Sequence, residues 1–194
     1  NDIYAHTGFS RAKISVYLKN LMELDLVEKV YSFETAGRAN AQKGVYRIAN
    51  PYVRFYFRYL FPNQSMLQQL TPEEFYKRKI APTYEQYTEE SYCLACRELM
   101  GREYRTVGEW RGKTGNIDIV ASDAGEEQIG VACCKWSGKM LHSDYERLLA
   151  SMKKARIKTT DIRLYCERGF DEQLEKAAGE GRVKLLGIRE SEGH

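Results

Sequence analysis

The sequence predicts a chain of α+β and α/β character in two parts: a helical segment with a hairpin, then an α/β domain around a mixed central sheet. Three observations carry this. A Gly-containing turn at Thr7-Gly8-Phe9 separates two helical patterns, and a hairpin with a basic tip follows them. Prolines punctuate the chain after the hairpin, at Pro51 and again at Pro82. Beyond Pro82, short β-branched runs alternate with amphipathic stretches in the order helix, three strands, helix, strand, helix, strand, which is the pattern of a mixed sheet with helices on both faces. The 194 residues suffice for one large domain or two small ones, each able to bury a core.

Residues 3 to 6 read as the end of a helix, so the sequence is expected to be cut from something longer. Ser10 is placed to cap a second helix running to about Leu24, in which Ile14, Tyr17, Leu18, Leu21 and Met22 recur near helical spacing. The other face of that helix carries Arg11, Ser15 and Lys19. A strand pattern from Leu26 to Phe33, a polar stretch with Gly37, Arg38, Asn40 and Lys43, and a second strand pattern at Gly-Val-Tyr-Arg-Ile complete a winged helix-turn-helix over residues 1–50, truncated at its start. In that layout the beginning of the second helix enters the DNA major groove and the wing reaches the backbone. Ser10, Arg11, Lys13, Ser15 and Lys19 are the candidate groove contacts, with Arg38 and Lys43 on the wing. Charge placement agrees: the net charge is only +3, yet up to Pro62 nine basic side chains stand against five acidic ones, so the excess that would steer a polyanion lies at this end.

Residues 51–82 read as a helical, aromatic-rich linker. Tyr-Val-Arg-Phe-Tyr-Phe-Arg-Tyr-Leu-Phe from Tyr52 could stack bases or, by its large apolar payload, pack two domains together. Thr71-Pro72-Glu73-Glu74 is a helix start with Pro at the first helical position. The α/β domain spans 83–194: a helix from Thr83 to about Met100, a strand from Tyr104 to Trp110, the hairpin Gly115 to Trp136, a helix from about Ser143 to Ala155, a strand from Ile162 to Cys166, a helix from Asp171 to Ala178 and a strand from Val183 to Ile188.

The hairpin carries the chemistry. It places an acid, Asp118, on one apolar strand and a base, Lys135, on the next, where charges are costly to bury. Strand side chains alternate, so Cys133 and Lys135 project the same way. Two readings stand open: Asp118 and Lys135 serve a reaction, or they form an ion pair across adjacent strands. Cys133 as a thiolate nucleophile, or a zinc site from Cys93, Cys96 and Cys133, has less behind it, because no His lies near in sequence and no fourth ligand is evident. Five cysteines without paired CxxC motifs read as reduced core thiols of a cytoplasmic protein, and no apolar run is long enough to suggest a membrane partner.

Asp118 on one strand and a triplet ending in Lys135 on the next resemble the hairpin of restriction-endonuclease-like, PD-(D/E)xK folds. Four strings in order resemble the C-terminal region of archaeal-type, AAA-like ATPases, in which a winged helix and a restriction-endonuclease-like domain follow the ATPase domain. They are Thr-Gly-Phe-Ser-Arg-Ala-Lys-Ile from Thr7, Gly-Val-Tyr-Arg-Ile-Ala-Asn-Pro-Tyr from Gly44, Cys96-Arg97-Glu98-Leu99, and Asn116-Ile117-Asp118-Ile119 with Cys133-Cys134-Lys135-Trp136. The resemblance implies an upstream ATPase domain that binds ATP and partners this region; this sequence has no GxxxxGK[ST] loop of its own. It also implies a nuclease site with Asp118 as ligand to Mg²⁺ or Mn²⁺, Lys135 beside the attacked phosphate, and a carboxylate from the first helix. Here the sequence departs from the pattern. Cys133 stands where the triplet's acid belongs and Cys93 where the helix acid falls, leaving Glu90, or Glu89 beside it, as the stand-in. Magnesium prefers oxygen ligands, and a thiol replaces one poorly. The expectation is therefore a DNA-binding or regulatory portion of an ATPase with a degenerate nuclease site and no cofactor of its own. The alternatives are a metal-dependent nuclease using Asp118, Lys135 and Glu90, or a platform for a protein partner.

Overall fold

The computed structural model describes residues 2–34, 37–125 and 127–188. The chain forms two compact units, Asn1–Lys29 with Val45–Ile80, and Val30–Gly44 with Ala81–His194.

In the first unit, helix α1 (Asp2–Thr7) and helix α2 (Arg11–Glu23) are joined through Gly8, whose φ of 66° lies where only a residue without Cβ turns at no steric cost. Ser10 caps α2, its hydroxyl accepting from the Lys13 N–H at 3.3 Å. No residue of α2 is buried. Strands β1 (Val27–Phe33) and β2 (Ala39–Ile48) follow, and from Val30 to Gly44 this hairpin belongs to the second unit. Asn50 then caps α3 (Pro51–Phe55), which runs on as a π-helical stretch, Tyr56–Leu60. Within it Tyr59 is buried while Tyr52, Phe57 and Phe61 nearby are exposed. Helix α4 (Gln64–Leu67) precedes α5 (Pro72–Phe75). The start of α5 is fixed by a reciprocal cap, in which Thr71 Oγ1 accepts from the Glu74 N–H and Glu74 Oε2 accepts from the Thr71 N–H, satisfying two donors that the first turn would otherwise leave open.

The second unit resumes with the long helix α6 (Ala81–Gly101). Strands β3 (Thr106–Gly112), β4 (Gly115–Ser122) and β5 (Ile129–Lys135) then run antiparallel in succession. Helix α7 (His142–Ala155), strand β6 (Asp161–Cys166), helix α8 (Glu172–Gly179) and strand β7 (Lys184–Leu186) complete it. β6 lies parallel to β5, and β7 parallel to β6. The sheet is mixed and seven-stranded, in the order β2-β1-β3-β4-β5-β6-β7, so the chain is of mixed α/β class. Its two faces hold separate cores. Val120, Val131 and Leu164 pack with Tyr145, Leu148 and Met152 of α7 and Leu174 of α8. Ile119, Ala121 and Ala132 pack with Tyr92, Cys96 and Met100 of α6. Neighbouring residues thus point to opposite layers, as strand alternation requires.

Two features were not foreseen. The first strand of the α/β order begins at Thr106 rather than Tyr104, because the Tyr104 N–H is still engaged by the carbonyl of Met100 at the end of α6. More consequential is the pairing of β1 with β3, with Tyr31 opposite Gly108 and Ser32 opposite Glu109 in parallel. A Cβ on Gly108 would stand 2.1 Å from the Tyr31 carbonyl oxygen, so glycine is what permits the approach. Among the described residues no helix is long and apolar enough to cross a membrane.

Candidate functional site

In the second unit, the ends of β4 and β5 and the inner side of α7 enclose a cleft of about 440 Å³. The register Ile119 opposite Ala132 brings Asp118 and Cys133 face to face one step on. Asp118 Oδ2 accepts from the Cys134 N–H at 3.1 Å and Oδ1 from Asn116 Nδ2 at 3.1 Å. The Cys133 thiol adds a third hydrogen bond. Burial nonetheless raises the Asp118 carboxyl above its ordinary range, against the Cys134 N–H and Cys133 thiol that lower it. Burial, and then the neighbouring Asp118 charge, pushes the Cys133 thiol well above the usual thiol range, which disfavours the thiolate. Behind them, buried Arg97 of α6 donates to the backbone carbonyl of Asp118 and to Glu109 Oε2, each at 3.0 Å, pinning β4 to the helix.

Lys135 shares the cleft but does not pair with Asp118, as an ion pair across adjacent strands would require. Its Nζ lies 2.8 Å from Asp144 Oδ2. Asp144 sits in the first turn of α7, where the helix dipole favours a negative charge. There it also accepts from the Leu141 N–H at 2.9 Å and pairs with Arg147. Burial pushes its carboxyl up, but those bonds outweigh burial and hold it below the ordinary carboxylate value. Lys135 therefore has the more firmly ionised partner of the two carboxylates.

The helix acid that lines the cleft is Glu89, not Glu90. Glu89 Oε1 accepts from the Trp136 N–H at 2.9 Å, and Oε2 accepts from the Ser137 N–H at 3.0 Å and from Ser137 Oγ at 2.9 Å. It caps the chain as it leaves β5. Glu90 is exposed and accepts from Gln86 Nε2 at 3.0 Å. Residues 89, 93 and 96 share one face of α6, and position 90 lies about 100° around it.

That face also corrects the grouping of the cysteines. Cys134, rather than Cys133, points toward α6 and joins Cys93 and Cys96, while Cys133 turns to the Asp118 side. All five cysteines are free thiols, and among the described residues no group of three His, Cys, Asp or Glu side chains could hold a metal ion.

The candidate DNA contacts fall elsewhere. On α2, Arg11 and Ser15 are exposed, and the Ser10 hydroxyl is used in capping. Lys13 Nζ sits 4.0 Å from the centre of the Phe9 ring, and Lys19 pairs with Glu23 at 3.7 Å. Arg38 is exposed between β1 and β2; the side chain of Lys43 lies outside the described residues. Asp118, Cys133 and Lys135 are thus brought together, while Glu90 and the α2 set are not part of the cleft. Sequence reasoning named Glu89 only as an alternative to Glu90 and missed the α7 contributors Asp144, Arg147, Ser151 and Lys154. Their signal was present as spacing of three, four and three residues along one helix face.

Comparison with known proteins adds a family. The sequence profile described as "Archaea bacterial proteins of unknown function" matches residues 56–159, more than half of the chain and including β3, β4, β5 and α7. An uncharacterized protein of Methanocaldococcus jannaschii is 25% identical over 144 residues, 70% of this chain and 32% of its own length. The chain therefore spans about a third of the curated relative it matches. A crystallographically solved protein of Vibrio cholerae aligns with 95% of this chain and 40% of its own, at 11% identity and a TM-score of 0.38.

Proposed function

The chain belongs to this DUF234 family of archaeal and bacterial proteins, and from that premise we propose that it is the DNA-binding or regulatory portion of a larger ATPase. In this reading residues 1–50 act as a winged helix. The domain over 83–194 is restriction-endonuclease-like and holds nucleic acid without cutting it. ATP belongs to an upstream domain, which is also the region's first protein partner.

One observation carries the reading: Cys133 stands opposite Asp118 and gives it a hydrogen bond, while Lys135 is drawn into an ion pair with Asp144. Phosphodiester hydrolysis of the nuclease type needs carboxylates free to hold a hard cation and a lysine free to face the phosphate. In this cleft Asp118 and Glu89 are committed to backbone N–H groups, Asp144 is taken up by Lys135 and Arg147, and a thiol stands opposite Asp118 where the resemblance calls for an acid. This donor set does not fit Mg²⁺ or Mn²⁺. The competing reading, a metal-dependent nuclease, gains Glu89 in place of Glu90 but has less support on the same count.

The test is titration of Mn²⁺ and Mg²⁺ into the protein and its Asp118→Ala variant, with plasmid cleavage and binding of labelled duplex DNA followed in the same buffers. The expected outcome is salt-sensitive DNA binding with neither metal uptake nor nicking. Arg11→Ala combined with Lys13→Ala should weaken DNA binding about tenfold at low salt. Metal binding that vanishes in Asp118→Ala, accompanied by nicking, would establish the nuclease. Absence of DNA binding at low salt would leave a protein-interaction platform.

A further inference from the structure

The aromatic stretch after Asn50 holds more rings than the first unit buries. Tyr59 lies inside, with Phe55 tilted against it at 5.0 Å between ring centres, whereas Tyr52, Phe57 and Phe61 are 72%, 49% and 54% exposed. Large aromatic side chains dominate packing wherever a chain can bury them, so a contiguous exposed group marks a surface that meets something else. The backbone is built to make this group contiguous. In an α-helix, turning about 100° per residue, positions 56 and 61 would stand about 140° apart. Here the Phe61 N–H donates to the carbonyl of Tyr56, the i to i+5 bond of a π-helix, which returns the fifth residue to the side of the first. The ring centres of Tyr56 and Phe61 are 6.1 Å apart, and those of Phe57 lie 5.3 Å from both Tyr56 and Phe61. Gln64 Nε2 donates to Tyr56 Oη at 3.4 Å and steadies the tip of that ring. Turns of this kind are rare and concentrate at functional sites; the product of this one is a three-ring cluster at the surface, with Tyr52 one turn before it.

Charge selects the occupant. From Val45 to Pro72, within the first unit, the sequence has three basic side chains, Arg47, Arg54 and Arg58, and no acid. The first unit as a whole has ten basic side chains against six acidic ones, and the second has twenty against twenty-one. Arg58 lies over the Tyr59 ring at 5.7 Å, on the same helical stretch as the cluster. We infer that Tyr52, Tyr56, Phe57 and Phe61 form a stacking platform for the unpaired bases of a single-stranded nucleic acid, with the cations of the first unit attracting its backbone. Ring faces accept any base, and the backbone charge supplies the rest of the affinity. A duplex does not suit the platform, because its base faces are already stacked on one another and exposing one costs unstacking energy. The platform lies apart from the Asp118 cleft and from the groove contacts of α2, and it requires neither.

The experiment is binding of the full chain to a labelled oligothymidylate of about fifteen nucleotides and to a duplex of the same length, over a series of salt concentrations. Phe57→Leu combined with Phe61→Leu keeps apolar bulk and removes the ring faces; Phe57→Tyr combined with Phe61→Tyr keeps the faces. The Leu pair should weaken single-strand binding at least about fivefold at every salt concentration. The slope of log affinity against log salt should not change, because stacking releases no counterions. The Tyr pair should bind as the parent does, and duplex binding should be equal in all three. A parallel series with oligouridylate tells RNA from DNA as the source of the strand, and loss in the Leu pair on either supports the platform. Parental single-strand binding by the Leu pair would overturn it and leave the rings as a docking face for a protein. Equal loss on the duplex, or a lower melting temperature that the Tyr pair shares, would overturn it by assigning the rings to folding. A parent that binds the duplex but no single strand would overturn the platform and leave the α2 reading in place; single-strand binding without duplex binding would do the reverse.

Discussion

A thiol and a carboxyl facing one another at Cys133 and Asp118 differ from a pair of carboxylates chiefly in charge. Two buried carboxylates at hydrogen-bond range repel unless a cation or a shared proton joins them; a thiol and a carboxylate need neither. Cys133→Asp should therefore restore a second hard ligand. We expect Mn²⁺ affinity at least about tenfold above that of the parent, measured by calorimetry, with lower thermal stability at pH 8 than at pH 5 when metal is withheld. Affinity no better than the parent's would mean that the cleft was never a cation site. The residues also show how far sequence reaches. Asp118 and Lys135 were legible because two charges interrupt runs of Ile, Val, Ala and Cys, and alternation fixes which neighbours share their side. Glu89 was not, because it is followed by Glu90 and the helical phase of α6 decides between them. The partner of Lys135 was hidden for another reason: Asp144 is near in sequence, but the turn that folds α7 back onto β5 has no pattern pointing to it.

Among the elements, β3 is the one whose neighbours could not be read. Its antiparallel partner β4 follows at once through a short turn. Its other neighbour, β1, lies more than seventy residues earlier, and parallel pairing at such a distance leaves no local trace. Only Gly108, an isolated glycine inside a strand pattern, hints at a close backbone approach. Gly108→Ala should force β1 and β3 apart. The expected cost is about 1–3 kcal/mol in denaturant unfolding, with accelerated amide exchange at Tyr31 and Ser32; parental exchange rates there would contradict the assigned pairing. The bounds of α8 and β6 were recovered nearly to the residue, because Asp171 caps the helix through the Leu174 N–H and an uninterrupted buried run marks the strand.

At the scale of the molecule, electrostatics set the response to acid. Asp161 receives Tyr104 Oη at 2.7 Å, Arg163 Nη2 at 2.7 Å and Lys184 Nζ at 2.9 Å. Burial pushes its carboxyl up, but these partners, Arg163 first, hold it at about 2. A carboxyl depressed in the folded state contributes stability that is complete above its unfolded value near 3.9 and is lost as pH falls toward its folded value. Melting temperature should thus drop steeply from pH 4 to pH 2. Asp161→Asn should start lower at pH 6 and flatten that drop; an equally steep fall in the variant would move the cause to Asp144 and Glu103, both also held low.

The second unit is discontinuous in sequence: it takes residues 30–44 from the N-terminal portion and then everything from Ala81 onward. A gene rearrangement that moved only the later stretch would carry the cleft intact yet strip β1 from β3, exposing a row of unsatisfied N–H and C=O groups of the kind that recruits foreign strands. Inheritance of the cleft is thereby coupled to inheritance of the hairpin ahead of it. The two portions can diverge in surface chemistry, but recombination cannot shuffle them as independent cassettes.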